Sequence, residues 1–415
     1  MTTHEVVVIG AGLAGLRCAA DLVERGVDVV VLESRDRVGG RVFSHSFDDG
    51  QTCERGAEFI DASHTAVLEL AAHLDLEVTT RRSDLDPDRA LIDAAGRLAP
   101  MRAHPGLAEN LEHWATAMST LDPASDPASV DDTLADLLAR LDLPPVARMV
   151  VGRDIRTEFM LPPEEVGRGF AAAMSMHRPV VGREVHRIAG GNDQLARGLA
   201  AALGGRVRLS TAVTSIDAAR GEVHTARDGV LRAEAVVATV PLPVLSRLWR
   251  AAPPELTSVG YGIGGKISVQ FSRRLWRDLG RDGTVLSDRR WGHLWETTDD
   301  QDGDRGILTN LLSSHDGASF VALPDAPAQL LREIDRVLPG TAGLAGAHVR
   351  TDWTNDPASL GCYLCCAPGQ WEPLRAAVSV PHERLWIAGE HADDHSGFME
   401  GALRSGARVA ELIAG

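Results

Sequence analysis

The residues best placed to do chemistry near the start of the chain are Gly10-Ala11-Gly12-Leu13-Ala14-Gly15, followed later by the acid Glu33. Glycines in that arrangement let the backbone turn tightly and let a pyrophosphate approach the start of a helix. There, unpaired N–H groups and the helix dipole favour negative charge. A carboxylate at Glu33 can accept from a ribose hydroxyl, and an acid at that place favours an unphosphorylated ribose. Gly-rich turns alone are common, so the surrounding frame carries the specificity. A second chemical residue is Lys266, in Tyr261-Gly262-Ile263-Gly264-Gly265-Lys266-Ile267. A lysine on an otherwise apolar strand is either an edge residue in solvent or a buried cation that needs a partner, such as a water-mediated contact.

The elements that position the glycines read directly from the pattern. Val6-Val7-Val8-Ile9 is a continuous apolar run, as in a strand buried on both faces. Leu13, Leu16, Ala19, Ala20 and Val23 recur at helical spacing, and Gly26 ends that helix. Val27 to Leu32 is a second strand. Strand, glycines, helix, strand and acid together predict a βαβ unit that binds an ADP-bearing dinucleotide. Residues 68–189 read as helices and loops broken by prolines, with a linker at 121–127. Gln194 to Leu203 reads as a helix; Val207 to Leu209, Ala212 to Ile216, Ala235 to Val240 and Leu385 to Ala388 read as strands. Lys266 to Phe271 alternates like an exposed-edge or antiparallel strand. Met399 to Ile413 reads as a last helix.

Bulk properties narrow the classes. A chain of 415 residues with 44% hydrophobic content can bury a large core, divided between two domains. A formal charge of −16 argues against nucleic acid or an anionic membrane surface as partner. Five cysteines, Cys18, Cys53, Cys362, Cys365 and Cys366, do not make a disulfide framework. No basic n-region with an apolar h-region opens the chain, and no apolar run has the length of a membrane span. A cytoplasmic location is expected. There is no Gly-x-Ser-x-Gly elbow and no His-Glu-x-x-His, so hydrolase chemistry finds no support. Cys362, Cys365 and Cys366 lack a second ligand pair, and no metal is expected.

The continuation of the chain separates FAD from NAD. Glu33-Ser34-Arg35-Asp36-Arg37-Val38-Gly39-Gly40-Arg41 resembles the motif that follows the second strand in flavin-containing amine oxidases of the monoamine oxidase family. Arg55-Gly56-Ala57-Glu58-Phe59-Ile60 is similar to the family's motif near the flavin ring, and Ile188-Ala189-Gly190-Gly191 to its return to the FAD domain. Trp386-Ile387-Ala388-Gly389-Glu390-His391 and Ser396-Gly397-Phe398-Met399-Glu400-Gly401-Ala402 resemble its C-terminal FAD signature. The resemblance implies an α/β fold. A discontinuous Rossmann-type FAD-binding domain would take residues 1–67, 190–255 and 355–415. A mixed sheet-plus-helices substrate domain would take 68–189 and 256–354.

It also implies roles. Val213 holds the adenine through backbone groups, and the helix opening at Met399 faces the flavin pyrimidine, where its N–H groups oppose growing negative charge. Arg35 and Arg41 reach phosphate or flavin. Lys266 faces flavin N5 through a water. Tyr363 and Phe398 flank the approach to the flavin; most members with a full cage have tyrosine at both places, so Phe398 departs from the pattern. Cys362, at the family's spacing from Trp353, is either an 8α-S-cysteinyl tether for FAD or a plain thiol. The implied reaction is oxidation of a primary or secondary amine, with molecular oxygen as acceptor and hydrogen peroxide as product. Alternatives are an L-amino-acid oxidase, a desaturase acting on a non-amine, and a flavin-binding protein without turnover. The expected partners are a small-molecule amine and oxygen, with a homodimer left open as the assembly.

Overall fold

The computed structural model describes residues 2–82, 86–120, 132–175 and 184–415, and the expected linker at 121–127 lies outside them. Two seven-stranded sheets organise these residues. The first runs in the order Val207–Arg208, Val29–Leu32, Thr2–Ile9, Gly229–Ala238, Glu222–Thr225 and Val213–Asp217, with Leu385–Ile387 also pairing Gly229–Ala238. Its centre is parallel, and Val6 to Ile9 match Val29 to Leu32 on one side and Ala235 to Ala238 on the other. The Val6-to-Ile9 half of the central strand is apolar throughout because both its faces are covered. Val6 and Val8 pack with Leu16, Leu195 and Leu403, from the helices Leu13–Glu24, Gln194–Leu203 and Met399–Ala414. Val7 and Ile9 point the other way, into a core that includes Leu242 and Leu245.

The second sheet runs Ala345–Asp352, Gly264–Phe271, Gly306–Ser313, His293–Glu296, Val285–Ser287, Leu91–Ala94 and Arg97–Pro100. Gly264–Phe271 is antiparallel to both neighbours, and all eight of its residues are buried. Of the two readings of the Lys266 strand, the antiparallel one is correct and the edge one is not. The alternation arises because Lys266, Ser268 and Gln270 share one face, with Lys266 in the cavity wall and the other two hydrogen-bonded to Thr309, Asp49 and Gln51, while Ile267, Val269 and Phe271 meet Phe320 and Leu330 in the outer core.

Residues 68–189 depart from the expected helices and loops. The helices Thr65–His73, Leu107–Ser119, Leu134–Arg140, Pro145–Phe159 and Arg168–Ser175 are present, but so are the strands Val78–Arg82, Leu91–Ala94, Arg97–Pro100 and Glu184–Ile188. Leu91–Ala94 and Arg97–Pro100 form a local hairpin, but the other partners are remote: Leu91 to Asp93 also pair with Val285 to Ser287, and Val78–Arg82 and Ile60–Asp61 flank Glu184–Ile188. Short strands held by distant partners leave little local periodicity to read.

Candidate active site

The chain closes around one large cavity of about 2020 Å³. It starts at the glycine turn after Thr2–Ile9 and ends among the helices of residues 107–174. Among the glycines, Gly12 and Gly15 have opposite tasks. A side chain at Gly15 would meet the Gly10 carbonyl oxygen at 2.1 Å and Thr239 Oγ1 at 2.7 Å, so the helix can lie this close to the strand only without a Cβ. At Gly12 nothing lies within 4 Å of the Cβ position. That space faces the start of the Leu13–Glu24 helix, which no side chain caps. An open helix start beside a bare backbone fits a pyrophosphate.

Glu33 is buried beside this turn. Its Oε2 accepts from Ala11 N (2.9 Å) and its Oε1 from Arg35 N (2.9 Å) and Ser34 Oγ (3.2 Å). The segment before Val213 clamps the same loop, with Thr211 N donating to Glu33 O and Ser210 N to Arg35 O, both 2.8 Å. Arg35 lines the cavity, but its guanidinium is engaged by Asp356 Oδ1 (2.6 Å) and Ser359 Oγ (2.9 Å).

Arg41 sits at the junction of three segments. Its Nη1 donates to Cys362 O (2.7 Å), Glu390 Oε1 (3.0 Å) and Tyr261 OH (3.1 Å). Tyr261 OH donates to Glu390 Oε1 (2.9 Å), and Glu390 Oε2 accepts from Gly397 N (2.9 Å). Burial works against both charges. The Arg41 pKa is nevertheless raised, by Tyr261 and Glu390, and the Glu390 pKa is lowered, by Arg41 first. Arg41 therefore lines the cavity as one half of a buried ion pair.

Lys266 is the cation of a second buried pair. Its Nζ donates to Glu58 Oε2 (2.7 Å) and Gly56 O (2.9 Å), and stands 5.4 Å from the centre of the Trp295 ring. Glu58 Oε1 accepts from Thr297 Oγ1 (2.6 Å) and Trp295 Nε1 (3.0 Å). Burial pushes the Glu58 carboxyl up, but Lys266 and Arg187 outweigh it and hold it down to about 2. Glu58 lines the cavity while its carboxylate is turned to Lys266.

The remaining predicted residues converge on the same wall. Gly10, Ala14, Ser34, Gly39, Gly40, Gly56, Ala57, Phe59, Val213, Trp353, Gly389, Gly397, Met399 and Ala402 all line it, as do Cys362, Tyr363 and Phe398. Gly15 stands behind it, in the helix–strand contact. Ser405 Oγ bridges Gly389 N (2.9 Å) and Gly389 O (2.8 Å), fixing the Met399–Ala414 helix to the end of Leu385–Ile387. No side chain caps that helix start either. The Tyr363 hydroxyl donates to Thr157 O (3.2 Å), and Phe398 packs 5.0 Å from the His64 ring. Cys362 is buried, and burial pushes its thiol up to about 12.

Sequence reasoning missed Tyr261, Trp295, Thr297 and His293. One signal was available: the chain has only two tyrosines, and both serve this site. Trp295 and His293 lie on a short strand whose partner strands alone give it a face, so no local pattern marks them.

The fit to known proteins covers nearly the whole chain. Residues 13–414 match the family described as flavin containing amine oxidoreductase. The AofH protein of Mycobacterium tuberculosis is 29% identical over 450 aligned positions, covering 99% of this chain and 97% of that one. Human flavin-containing amine oxidase B is 24% identical, covering 99% of this chain and 86% of that one. The structure of a putrescine oxidase bound to putrescine superposes with a TM-score of 0.87 at 21% identity, covering 99% of both chains.

Proposed function

Because the chain belongs to the flavin-containing amine oxidoreductase family, whose cofactor is FAD, we propose that it oxidises a primary or secondary amine to an imine, with molecular oxygen as acceptor and hydrogen peroxide as product. One observation carries the reading: a buried Lys266–Glu58 pair stands in the wall of the same cavity that begins at the dinucleotide turn. When bound, FAD would supply the redox chemistry, as acceptor of a hydride equivalent from the carbon next to nitrogen. The chain supplies binding, orientation and exclusion of water. The turn from Gly10 to Gly15 takes the pyrophosphate, Glu33 the ribose, and Val213 the adenine. The helix start at Met399 opposes negative charge on the pyrimidine. Tyr363 and Phe398 hold a neutral amine between their rings, and Lys266 holds a water. No side chain has to act as a strong base.

We assign residues 1–67, 190–255 and 355–415 to the cofactor domain and the rest to the substrate domain. The membership of the first sheet in segments 2–32, 207–238 and 385–387 supports that division. Five free thiols support a reducing, cytoplasmic location, and no helix among the described residues is long and apolar enough to cross a membrane. Anaerobic mixing with a panel of amines tests the activity: bleaching of the flavin colour by an amine, followed by peroxide on admitting air, is expected. No bleaching by any amine refutes it. Acid precipitation separates the two alternatives for Cys362, since a tethered flavin stays in the pellet.

A further inference from the structure

The sheet that carries Lys266 lays a row of side chains across the cavity wall. Lys266 pairs with Leu311, Leu311 with His293, and His293 with Leu286. All four line the cavity. Paired residues on neighbouring strands share a face, and strands lie about 4.8 Å apart, so His293 stands roughly 10 Å from Lys266 along the row. Leu311 and Leu286 are apolar, and His293 interrupts them with a polar group.

His293 is half-buried and is joined to the aromatic approach. Its Nδ1 is 3.4 Å from Thr157 Oγ1, and the Thr157 carbonyl accepts from the Tyr363 hydroxyl. Its Nε2 has no protein partner among the described residues. Burial, helped by Arg153 and opposed by Glu58, pushes the imidazole down to about 4, so the ring is neutral near pH 7. A neutral imidazole offers one donor and one acceptor. Buried ring nitrogens are normally hydrogen-bonded, so an Nε2 without a protein partner on a cavity-lining histidine can bond a group held in the cavity.

We propose that His293 is a specificity-determining residue that hydrogen-bonds the polar far end, hydroxyl or amino, of an extended amine whose reacting end lies beside Lys266 and Tyr363. This rests on the amine-oxidase reading. The site selects bifunctional amines over simple alkylamines of equal length. A hydroxyl suits either tautomer of His293, because it donates and accepts. An ammonium suits only the tautomer with a bare Nε2.

The test compares hexylamine, aminohexanol and hexamethylenediamine as substrates of the FAD-loaded enzyme, with anaerobic flavin reduction followed alongside turnover. Wild type should favour aminohexanol over hexylamine by about tenfold in kcat/KM, the worth of one hydrogen bond, with the difference carried in KM. His293→Leu should bring the two within about twofold, chiefly by raising KM for aminohexanol. His293→Asn, which keeps a hydrogen-bonding group, should restore part of the preference. An equal advantage for the diamine assigns the bare-Nε2 tautomer, and an advantage for the alcohol alone assigns the other. Equal kcat/KM for all three in wild type, or a preference that survives His293→Leu, overturns the proposal. If none of the three reduces the flavin while other amines do, the subsite is wrong and amine oxidation stands. If no amine reduces it, both readings fall together.

Discussion

Replacing Glu58 by glutamine removes the charge that holds Lys266 in the cavity wall. The size of the effect follows from the geometry. Lys266 and Glu58 are 8% and 4% exposed, and their ion pair measures 2.7 Å. Holding the carboxyl at about 2 against its usual 4.5 corresponds to about 3 kcal/mol in favour of the charged form. Breaking a buried pair from one side costs about 3–5 kcal/mol, because the other charge stays behind. We therefore expect Glu58→Gln and Lys266→Met each to lose about 3 kcal/mol at pH 7. The double variant should lose less than the sum by about 2 kcal/mol, since it buries no lone charge. The assay is urea unfolding of the four FAD-loaded proteins. In wild type this contribution is present above pH 4.5 and disappears as pH falls towards 2, where the folded carboxyl takes its proton. Losses that add to within about 0.5 kcal/mol would show that the two residues are not coupled. In rapid mixing, Lys266→Met should keep FAD but slow reduction or reoxidation of the flavin, and normal turnover would remove Lys266 from the mechanism.

Other variants probe the rest of the site. Gly15→Val should destroy the helix–strand contact, because its Cβ would sit 2.1 Å from Gly10 O; the purified protein should show little flavin absorbance, and full occupancy would refute the packing argument. Arg41→Met strands Glu390 without its cation and should cost about 3–5 kcal/mol along with FAD retention, while Arg41→Met with Glu390→Gln should recover part of that stability in thermal unfolding. His293 and His391 are both pushed down to about 4 by burial, so each is neutral in the fold and charged when unfolded below about pH 6.5. Their contribution is complete above pH 6.5 and is lost as pH falls to 4, at up to about 1.4 kcal/mol per pH unit for each ring. Glu54, pushed up to about 7 by burial, has the opposite sign and loses its contribution as pH rises from 4.5 to 7. Where the three overlap, the histidines prevail by one proton. A stability profile that falls between pH 5 and 6.5 would contradict this balance.

Much of the cofactor half was legible because its signals are local. Val6 to Ile9, the glycines and Glu33 lie within one βαβ unit, where burial on both faces writes itself as an unbroken apolar run. The Met399–Ala414 helix was legible from its spacing. The substrate half was less so. Leu91–Ala94 pairs locally with Arg97–Pro100, but what joins that hairpin to the substrate sheet is Val285–Ser287, and nothing near Leu91 encodes that partner. Arg35 and Arg41 show a related difficulty: their positive charge was readable, but Asp356 and Glu390, which engage them, come from the far end of the chain. The sequence marked Glu58 as a residue near the flavin. That its carboxylate would be turned to Lys266 depends on how two sheets meet.

The closing of the first sheet also bears on how the protein is made. Thr2–Ile9 is made long before its neighbour Gly229–Ala238, and Leu385–Ile387, on the far side of that neighbour, follows later still. The Leu13–Glu24 helix waits for Met399–Ala414, whose Glu400 also accepts from the N–H groups of Ala66 and Val67 at the start of Thr65–His73 (3.1 and 3.0 Å). Until then the nascent chain carries an apolar strand with an unpaired edge, the kind of surface that invites aggregation or a chaperone. Cofactor capture therefore belongs to the last stage of biogenesis, and a ribosome stalled before residue 385 should release a polypeptide that neither binds flavin nor stays dispersed.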